Sequence, residues 1–411
     1  AYGPDGCQMT DEPAAVVTKL IGEIPFFVPE EKSFADFMQD GLISYIGDDI
    51  WQEYYKTVLD EAVSPDVIRK ADLNIVYTPL CGTGNEPVRA VLNTLGVNIS
   101  IVGCQEKPDG DFKTCEYPNP ETDAALSESY KVADRVGCDV ILGTDPDCDR
   151  VAIAVPNGNG YRKLSGNVLG CLMLEYILSA SKDKGLLTDR SVAVRSIVSS
   201  SMADKIAEAY GVSMSVVLTG FKYIGGVILE LEESGREQDF VFGFEESCGY
   251  LKGTYARDKD AVVASMLVCE LAAYYKNKGM SVLDALNNLY EKYGYFLAYV
   301  KSLELSGADA MEKAAKLMSD LRENTPVEIG GHTVTCVKDY LSRITKNIIT
   351  GAETGISLPR SNVLEYILGN NGSVIVRPSG TEPKVKFYFT SVGDTLESAK
   401  EKLDKCIRHF S

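Results

Sequence analysis

From about residue 50 onward, short apolar segments alternate with longer amphipathic ones, and this alternation constrains the fold more than any other feature. Residues 73–78 (LNIVYT) and 98–103 (NISIVG) are rich in β-branched side chains and too short to be helices, whereas residues 121–137 have the apolar spacing of a helix. Strands that alternate with helices are typical of a largely parallel sheet. The sequence therefore predicts an α/β architecture.

The alternation resumes after residue 166 and changes character near residue 296, where strand-like segments follow one another as in an antiparallel sheet. The predicted fold class is α/β, with two consecutive three-layer α/β/α domains followed by a smaller α+β C-terminal domain. Residues 1–45 lack this pattern and contain a helix with little to pack against. The predicted domains after that segment are 46–165, 166–295 and 296–411.

Composition excludes several classes of partner. Lys and Arg total 41 against 59 Asp and Glu, so the formal net charge is 41 − 59 = −18, which argues against nucleic acid or an anionic membrane surface as partner. No apolar run approaches the ~18 residues of a membrane span. The 11 cysteines never form CxxC, which favours free thiols in a reducing cytoplasm over disulfides or a zinc site. We therefore expect a cytoplasmic protein.

Three aspartates, Asp145, Asp147 and Asp149, follow the apolar segment DVIL, at the end of a strand where α/β sheets usually bind ligands. Because like charges repel, carboxylates this close favour a hard divalent cation such as Mg²⁺, Mn²⁺ or Ca²⁺. An EF-hand is excluded, since Arg150 and Pro156 stand where that loop needs glycine and glutamate. A metal-dependent phosphatase with Asp145 as nucleophile and a solvated acidic loop are the alternatives.

Two other loops carry groups suited to a sugar and to a phosphate. In GFEESCGY (243–250), Glu245 and Ser247 could accept hydrogen bonds from sugar hydroxyls, or the loop could simply expose two acids. In RPSGTEPK (377–384), Arg377 offers a bidentate fork and the turn offers hydroxyls and backbone amides, a combination that suits an oxyanion such as phosphate. A hairpin turn with incidental polar residues is the alternative there.

Two further stretches have competing interpretations. Lys259 lies among aspartates in TYARDKDAV, where neighbouring charges can shift the pKa of a lysine toward a role in proton transfer, although solvated charges at a helix start look the same. The GxG of TPLCGTGNEP (78–87) suggests a dinucleotide loop, but Pro87 occupies the third glycine position. Asn85 as the helix N-cap explains that stretch structurally.

In sequence order these loops are TDPDCDR, TGFKYIGG, GFEESCGY with RDKDA, and RPSGTEPK. That order resembles the α-D-phosphohexomutases, the phosphoglucomutase/phosphomannomutase family, over essentially the whole chain. DPD in place of the commoner DGD, with TPLCGTGN and GPDGCQMTDEPA, resembles the branch of bacterial phosphoglucomutases and phosphopentomutases. The resemblance implies an isomerase of carbohydrate metabolism that interconverts hexose 1-phosphate and hexose 6-phosphate through an enzyme phosphoserine and a sugar bisphosphate.

The resemblance also implies a role for each loop. Asp145, Asp147 and Asp149 would hold Mg²⁺. Arg150 would lie beside the transferred phosphoryl group, and Lys259 would be the general acid/base. The residues implied to bind the phosphosugar substrate are Thr219, Gly220, Glu245 and Ser247 at the sugar, and Arg377, Ser379, Gly380 and Thr381 at its non-reacting phosphate.

The sequence departs from the family at the phosphoserine. The family's TASHNP-type serine loop shortly precedes a segment resembling YGPDGCQM, and no such loop occurs in these 411 residues. The expectation is therefore a fragment in which residues 1–45 are a remnant of the phosphoserine domain, with little mutase activity and weak Mg²⁺ binding. A phosphomannomutase, a phosphopentomutase and a non-catalytic sugar-phosphate-binding protein are the alternatives.

Overall fold

The computed structural model describes residues 1–27, 32–307, 309–379 and 383–410. The chain divides into two compact units, and each is made of segments that are separate in sequence. Unit 1 comprises Ala1–Lys163, Phe221–Gly243 and Gly249–Asn277, and unit 2 comprises Leu164–Gly220, Phe244–Cys248 and Lys278–Ser411.

The α-helices in chain order are α1 (Asp11–Gly22), α2 (Phe34–Gln39), α3 (Asp48–Asp60), α4 (Asp66–Ala71), α5 (Asn85–Leu95), α6 (Asp123–Val136), α7 (Gly166–Asp183), α8 (Met202–Ala209), α9 (Phe221–Glu233), α10 (Ala261–Lys276), α11 (Val282–Tyr293), α12 (Ala310–Glu323) and α13 (Leu396–His409). Among the described residues, none of these helices is both long enough and apolar enough to cross a lipid bilayer.

The strands in chain order are β1 (Asn74–Thr78), β2 (Asn98–Ile101), β3 (Val140–Thr144), β4 (Val151–Asn157), β5 (Gly160–Leu164), β6 (Val192–Ser196), β7 (Ser213–Val217), β8 (Phe240–Glu245), β9 (Gly249–Leu251), β10 (Tyr295–Glu304), β11 (Glu328–Ile329), β12 (His332–Thr333), β13 (Cys336–Asp339), β14 (Ile344–Asn347), β15 (Glu353–Gly355), β16 (Leu364–Ile367), β17 (Gly372–Pro378) and β18 (Lys384–Gly393).

Unit 1 is built on a five-stranded sheet in the order β2-β1-β3-β4-β5. Strand β1 pairs in parallel with β2 and β3, whereas β4 runs antiparallel to β3. One side of the sheet packs against α6, where Leu126 and Ala133 join Val76 and Ile141 in a buried cluster. Successive side chains of a strand point to opposite faces of the sheet. Val140 and Leu142, which flank Ile141, therefore point to the face opposite α6.

Helix α10 is the central helix of unit 1. Every residue from Ala261 to Ala273 is buried, and the helix packs against α3, α4, α5, β3 and β4. A helix that is apolar all round is expected only where protein surrounds it. Its one buried charge, Glu270, accepts hydrogen bonds from the backbone N–H groups of Val63 at 3.0 Å and Ser64 at 2.8 Å.

Unit 2 combines a parallel strand pair with a larger antiparallel sheet. Strands β6 and β7 pair in parallel, and α7, α8 and α11 pack against one another beside them. The larger sheet has seven strands in the order β10-β18-β17-β16-β13-β14-β15. Helices α12 and α13 cover one of its faces through Met318, Ala314 and Cys406, which pack on Val376, Phe387 and other core residues of the sheet.

The predicted fold class is confirmed, including the change to antiparallel strands after residue 296. Several elements lay outside the prediction, among them α4, α9, α11, α12 and the β4–β5 strands at the antiparallel side of the first sheet. The predicted N-cap at Asn85 is wrong by one position, since α5 begins at Asn85 and its amide oxygen instead accepts from Arg89 at 3.2 Å. Helix α1 leaves Val16 and Ile21 about three-fifths exposed, at 60% and 62%, as expected for a helix with little to pack against.

We predict that Glu270→Ala lowers the free energy of unfolding by about 2–4 kcal/mol, because two buried backbone N–H groups lose a charged acceptor. Urea denaturation followed by circular dichroism measures the change. Glu233→Ala, which removes an exposed glutamate of unit 1, is the matched control and should change the value by less than about 0.5 kcal/mol. Equal effects of the two substitutions would show that the Glu270 hydrogen bonds contribute nothing.

Candidate functional site

The aspartate loop begins directly after β3, and its first carboxylate is completely buried. Asp145 accepts hydrogen bonds at one oxygen from the backbone N–H groups of Asp149 at 3.0 Å and Arg150 at 2.9 Å. Its other oxygen forms a 2.6 Å ion pair with Nε of Arg150. The loop can turn this sharply because Cys148 adopts a left-handed conformation, with φ of 60°.

Burial and the negative charges of Asp149 and Asp147 together raise the pKa of Asp145 to about 6, although the backbone hydrogen bond and the charge of Arg150 act to lower it. The pKa of Asp145 is therefore close enough to neutrality for protons to compete with a cation at this carboxylate.

Ligand oxygens of Asp145, Asp147 and Asp149 all lie within 4.8 Å of one another. Asp145 is buried, Asp149 is half-buried and Asp147 is exposed, so the group opens toward solvent on one side. An all-oxygen carboxylate set of this size fits a hard divalent cation. Cys148, between two of the acids, faces Thr144 and Gly84 instead.

Lys259 supplies a second cation to this cluster. Its Nζ lies 2.7 Å from a carboxylate oxygen of Asp149 and 3.2 Å from one of Asp258. Burial pulls the pKa of Lys259 down, but the hydrogen bonds and charges of Asp149 and Asp258 outweigh burial and raise it above its ordinary value. Lys259 is therefore an ammonium ion at neutral pH, able to donate a proton but not to accept one.

Tyrosine hydroxyls reinforce the segment that carries Lys259. Tyr2 donates to Asp258 at 2.7 Å, and Asp260, two residues further, accepts from Tyr54 at 2.8 Å and Tyr255 at 2.6 Å. Asp260 also caps α10 by accepting from the backbone of the helix. These contacts hold Asp258 and Asp260 in place on either side of Lys259. They therefore fix the backbone position from which the Lys259 side chain extends toward Asp149.

The GxG stretch before α5 supports the aspartate loop. Thr83 donates its backbone N–H to the carbonyl of Pro146 at 2.8 Å. A Cβ at Gly82 would lie 2.3 Å from Cα of Pro146, and one at Gly84 would lie 2.7 Å from Sγ of Cys148. Both glycines are therefore required by close packing on the aspartate loop, which the dinucleotide and N-cap interpretations of the sequence did not anticipate.

A cleft of about 760 Å³ opens at this cluster in unit 1. Asp147, Asp149 and Lys259 line one part of it, and Trp51 and Tyr54 of α3 line another. Trp51 is the only tryptophan of the chain and is 40% exposed. Its fluorescence is therefore a direct reporter of what binds in the cleft.

Unit 2 holds the predicted sugar-binding residues. Glu245 is buried and accepts the backbone N–H of Gly220 at 2.6 Å, which joins the GFEESCGY loop to the TGFKYIGG segment. The hydroxyl of Thr219, next to Gly220, is buried without a hydrogen-bond partner among the described residues. Ser247 is half-buried in the turn that follows Glu245. A buried hydroxyl that lacks a partner is the kind of group that a polar ligand satisfies.

The predicted phosphate loop joins β17 to β18 in unit 2. Arg377 is half-buried near the end of β17, and Ser379 donates its backbone N–H to the carbonyl of Lys384 at 2.7 Å across the loop. The charge of the Arg377 guanidinium lies close enough to the Tyr388 hydroxyl to lower the pKa of that phenol. Gly380 and Thr381 lie outside the described residues.

The structure thus brings Asp145, Asp147, Asp149, Arg150 and Lys259 together in unit 1, and Thr219, Gly220 and Glu245 together in unit 2. Sequence reasoning missed the residues that support the cluster in unit 1, which are Asp258, Asp260, Tyr2, Tyr54, Gly82 and Gly84. The alternation of acids in RDKDA was a signal for Asp258 and Asp260. No local pattern pointed to Tyr2, which is 256 residues from its partner.

The fold and these clusters define an α/β protein with a loop of three clustered aspartates that could hold a cation. Three domain profiles of one family match the chain. They are described as phosphoglucomutase/phosphomannomutase alpha/beta/alpha domain II over residues 52–158, alpha/beta/alpha domain III over residues 165–293, and C-terminal domain over residues 338–402.

Two curated relatives named phosphoglucomutase extend this match over nearly the whole chain. The Staphylococcus epidermidis protein is 32% identical over 99% of this chain and 73% of its own length, and the Staphylococcus aureus RF122 protein is 31% identical over 99% and 72%. The chain belongs to the phosphoglucomutase/phosphomannomutase family.

A solved structure shares the fold. The open form of pp63/parafusin, a phosphoglucomutase from Paramecium, aligns with a TM-score of 0.60 at 16% identity and covers 88% of this chain. The present chain spans 60% of that protein's length.

We predict that divalent-cation binding by this chain is weak and is lost as the pH falls through about 6. The carboxyl of Asp145, whose pKa is raised to about 6, is ionised above that pH and protonated below it, so lowering the pH from 7 to 5 should weaken binding about tenfold. Quenching of Trp51 fluorescence by Mn²⁺ at each pH measures the affinity.

Asp147→Asn should remove cation binding at every pH, because it deletes one of the three carboxylates. Asp183→Asn, an exposed aspartate at the end of α7, is the control and should bind like the wild type. Unchanged affinity in Asp147→Asn would exclude the aspartate loop as the cation site.

Proposed function

We propose that this chain carries the metal-, sugar- and phosphate-binding loops of a phosphohexomutase, which interconverts hexose 1-phosphate and hexose 6-phosphate. The observation that carries the proposal is the contact of two cations, Arg150 and Lys259, with two carboxylates of the acidic cluster. Catalysis of phosphoryl transfer depends mainly on positioning the reacting groups and on neutralising the negative charge of the transferred phosphoryl group. A cluster that combines a cation-binding site with fixed cationic side chains suits that chemistry.

Asp145, Asp147 and Asp149 would hold the Mg²⁺ on which this class of reaction depends. When bound, the ion supplies positive charge that stabilises the phosphoryl oxygens during transfer. Arg150 already has its guanidinium oriented by Asp145 at 2.6 Å and Asp149 at 3.6 Å. Its remaining N–H groups would be the donors to a phosphoryl oxygen.

Lys259 would act as the proton donor of the reaction. Its raised pKa keeps the ammonium protonated at neutral pH, which suits protonation of a sugar oxygen as the phosphoryl group leaves. Asp149 and Asp258 would orient the ammonium.

Unit 2 carries the residues proposed to bind the sugar and its non-reacting phosphate. Glu245, Ser247, Thr219 and Gly220 would contact sugar hydroxyls, and Arg377 with Ser379, Gly380 and Thr381 would bind the non-reacting phosphate. Glucose phosphates are the proposed substrates because the curated relatives are named phosphoglucomutase. Mannose and pentose phosphates are the alternatives for the same loops.

The metal-dependent phosphatase alternative is less well supported. The domain profiles and curated relatives that match this chain are described as phosphoglucomutase or phosphomannomutase, not as phosphatases. The carboxylate of Asp145 is also completely buried. Asp145 is better suited to organise the loop than to attack a substrate.

We predict that the chain binds glucose 6-phosphate and that Arg377→Ala abolishes this binding, because the phosphate loses its bidentate partner. Isothermal titration calorimetry measures the affinity, with mannose 6-phosphate and ribose 5-phosphate as comparison ligands. Arg360→Ala, which removes an exposed arginine of unit 2, is the matched control and should bind as the wild type does. Full affinity in Arg377→Ala would contradict the assignment of the phosphate loop.

We also predict that this chain alone binds glucose 1-phosphate without converting it, because no TASHNP-type serine loop occurs in its sequence. A coupled assay for glucose 6-phosphate and a colorimetric assay for inorganic phosphate should both match the buffer blank. Conversion at a rate normal for a mutase would mean that another residue carries the phosphoryl group. Phosphate release that Asp145→Asn removes would support the phosphatase instead.

A further inference from the structure

The two faces of the seven-stranded sheet in unit 2 have different characters around β17 and β18. Val385, Phe387 and Phe389 of β18 belong to the apolar core beneath α12 and α13. Tyr388 lies between two of them and therefore points to the other face, yet it is only 6% exposed. A large aromatic residue is thus buried on the face that does not carry the core.

Arg377 shares that face with Tyr388. In the register of the two strands, Arg377 is opposite Lys386 and Ile375 is opposite Tyr388, so Arg377 and Tyr388 are diagonal neighbours. Diagonal cross-strand neighbours are within reach of one another when one side chain is long and the other aromatic. The directly opposed pair consists of two cations, Arg377 and Lys386, which repel each other.

The diagonal register brings the Arg377 guanidinium within reach of the Tyr388 hydroxyl, and their interaction lowers the pKa of the phenol. Burial raises the pKa of Tyr388 to about 12, with the charge of Glu246 and, more weakly, that of Glu245 adding to this effect and Arg377 opposing it. The phenol therefore remains neutral at physiological pH. Tyr388 is consequently within electrostatic range of both the phosphate loop and the sugar loop of unit 2.

We propose that Tyr388 is a positioning residue that holds the Arg377 guanidinium in the orientation in which it binds a phosphate. An arginine side chain has about 2 kcal/mol of rotamer entropy to lose when it is fixed on a ligand, and a partner that fixes it beforehand removes part of that loss. Repulsion from Lys386 would otherwise favour orientations away from the loop. The neutral phenol provides an acceptor without cancelling the positive charge that attracts the phosphate.

The inference rests on the proposed function only in that Arg377 must bind a phosphate.

The test is titration of the full chain with glucose 6-phosphate and with inorganic phosphate. Tyr388→Phe should weaken both affinities about fivefold to tenfold, because the ring stays and only the hydrogen-bonding hydroxyl is lost. Tyr366→Phe is the matched control, since the Tyr366 hydroxyl donates to the carbonyl of Leu321 within the core on the other face.

A double-mutant cycle separates positioning from a general effect on folding. In an Arg377→Lys background, the further change Tyr388→Phe should cost little affinity, because the planar guanidinium that the phenol orients is already gone. Additive losses in the double variant would overturn the inference, as would equal losses in Tyr388→Phe and Tyr366→Phe.

Failure of the proposed function gives a different result. If Arg377→Ala retains full affinity, the phosphate site itself is misassigned. If Arg377→Ala abolishes binding and Tyr388→Phe binds like the wild type, only the role of Tyr388 is wrong.

Discussion

Burial of negative charge at the end of β3 is the constraint on which the site in unit 1 depends. A carboxylate removed from water needs charged or hydrogen-bonding partners, and the Asp145 carboxylate finds them within five residues of sequence, at Asp149 and Arg150. The neighbouring Asp149 then takes its partner from far along the chain, at Lys259. The acidic cluster thereby ties the start of α10 to the end of a strand more than a hundred residues earlier.

The sequence allowed prediction of those parts that have a local pattern. The strand before Asp145, the alternation of the three acids and the amphipathic helix α6 were all readable, because period and composition determine them residue by residue. Helix α9 was missed since two adjacent glycines, Gly225 and Gly226, interrupt its apolar residues within FKYIGGVILELEE. The β4–β5 strands were missed because β4 pairs antiparallel with β3. The alternation of strands and helices predicts only parallel neighbours.

The partners of the site residues were harder to predict for a related reason. Tyr2 and Asp258, or Asp149 and Lys259, meet only once the whole of unit 1 has folded. Lys259 could be singled out from its charged neighbours. The direction of its pKa shift could not be predicted, because burial lowers the pKa, Asp149 raises it, and the balance depends on the three-dimensional structure. Tyr388 looks like any aromatic residue of a strand until the register shows which face it occupies.

The exposed apolar side chains near the start of the chain affect how the protein behaves in salt. Phe26 and Phe27 are 94% and 87% exposed, and Leu42 and Ile46 are also largely open to water. A net charge of −18 keeps copies of the chain apart at low ionic strength. Salt shortens the reach of that repulsion to about 10 Å at 0.1 M and about 3 Å at 1 M, while the attraction between apolar surfaces persists. Concentrated salt should therefore promote self-association of this chain, and dilute buffer should keep it dispersed.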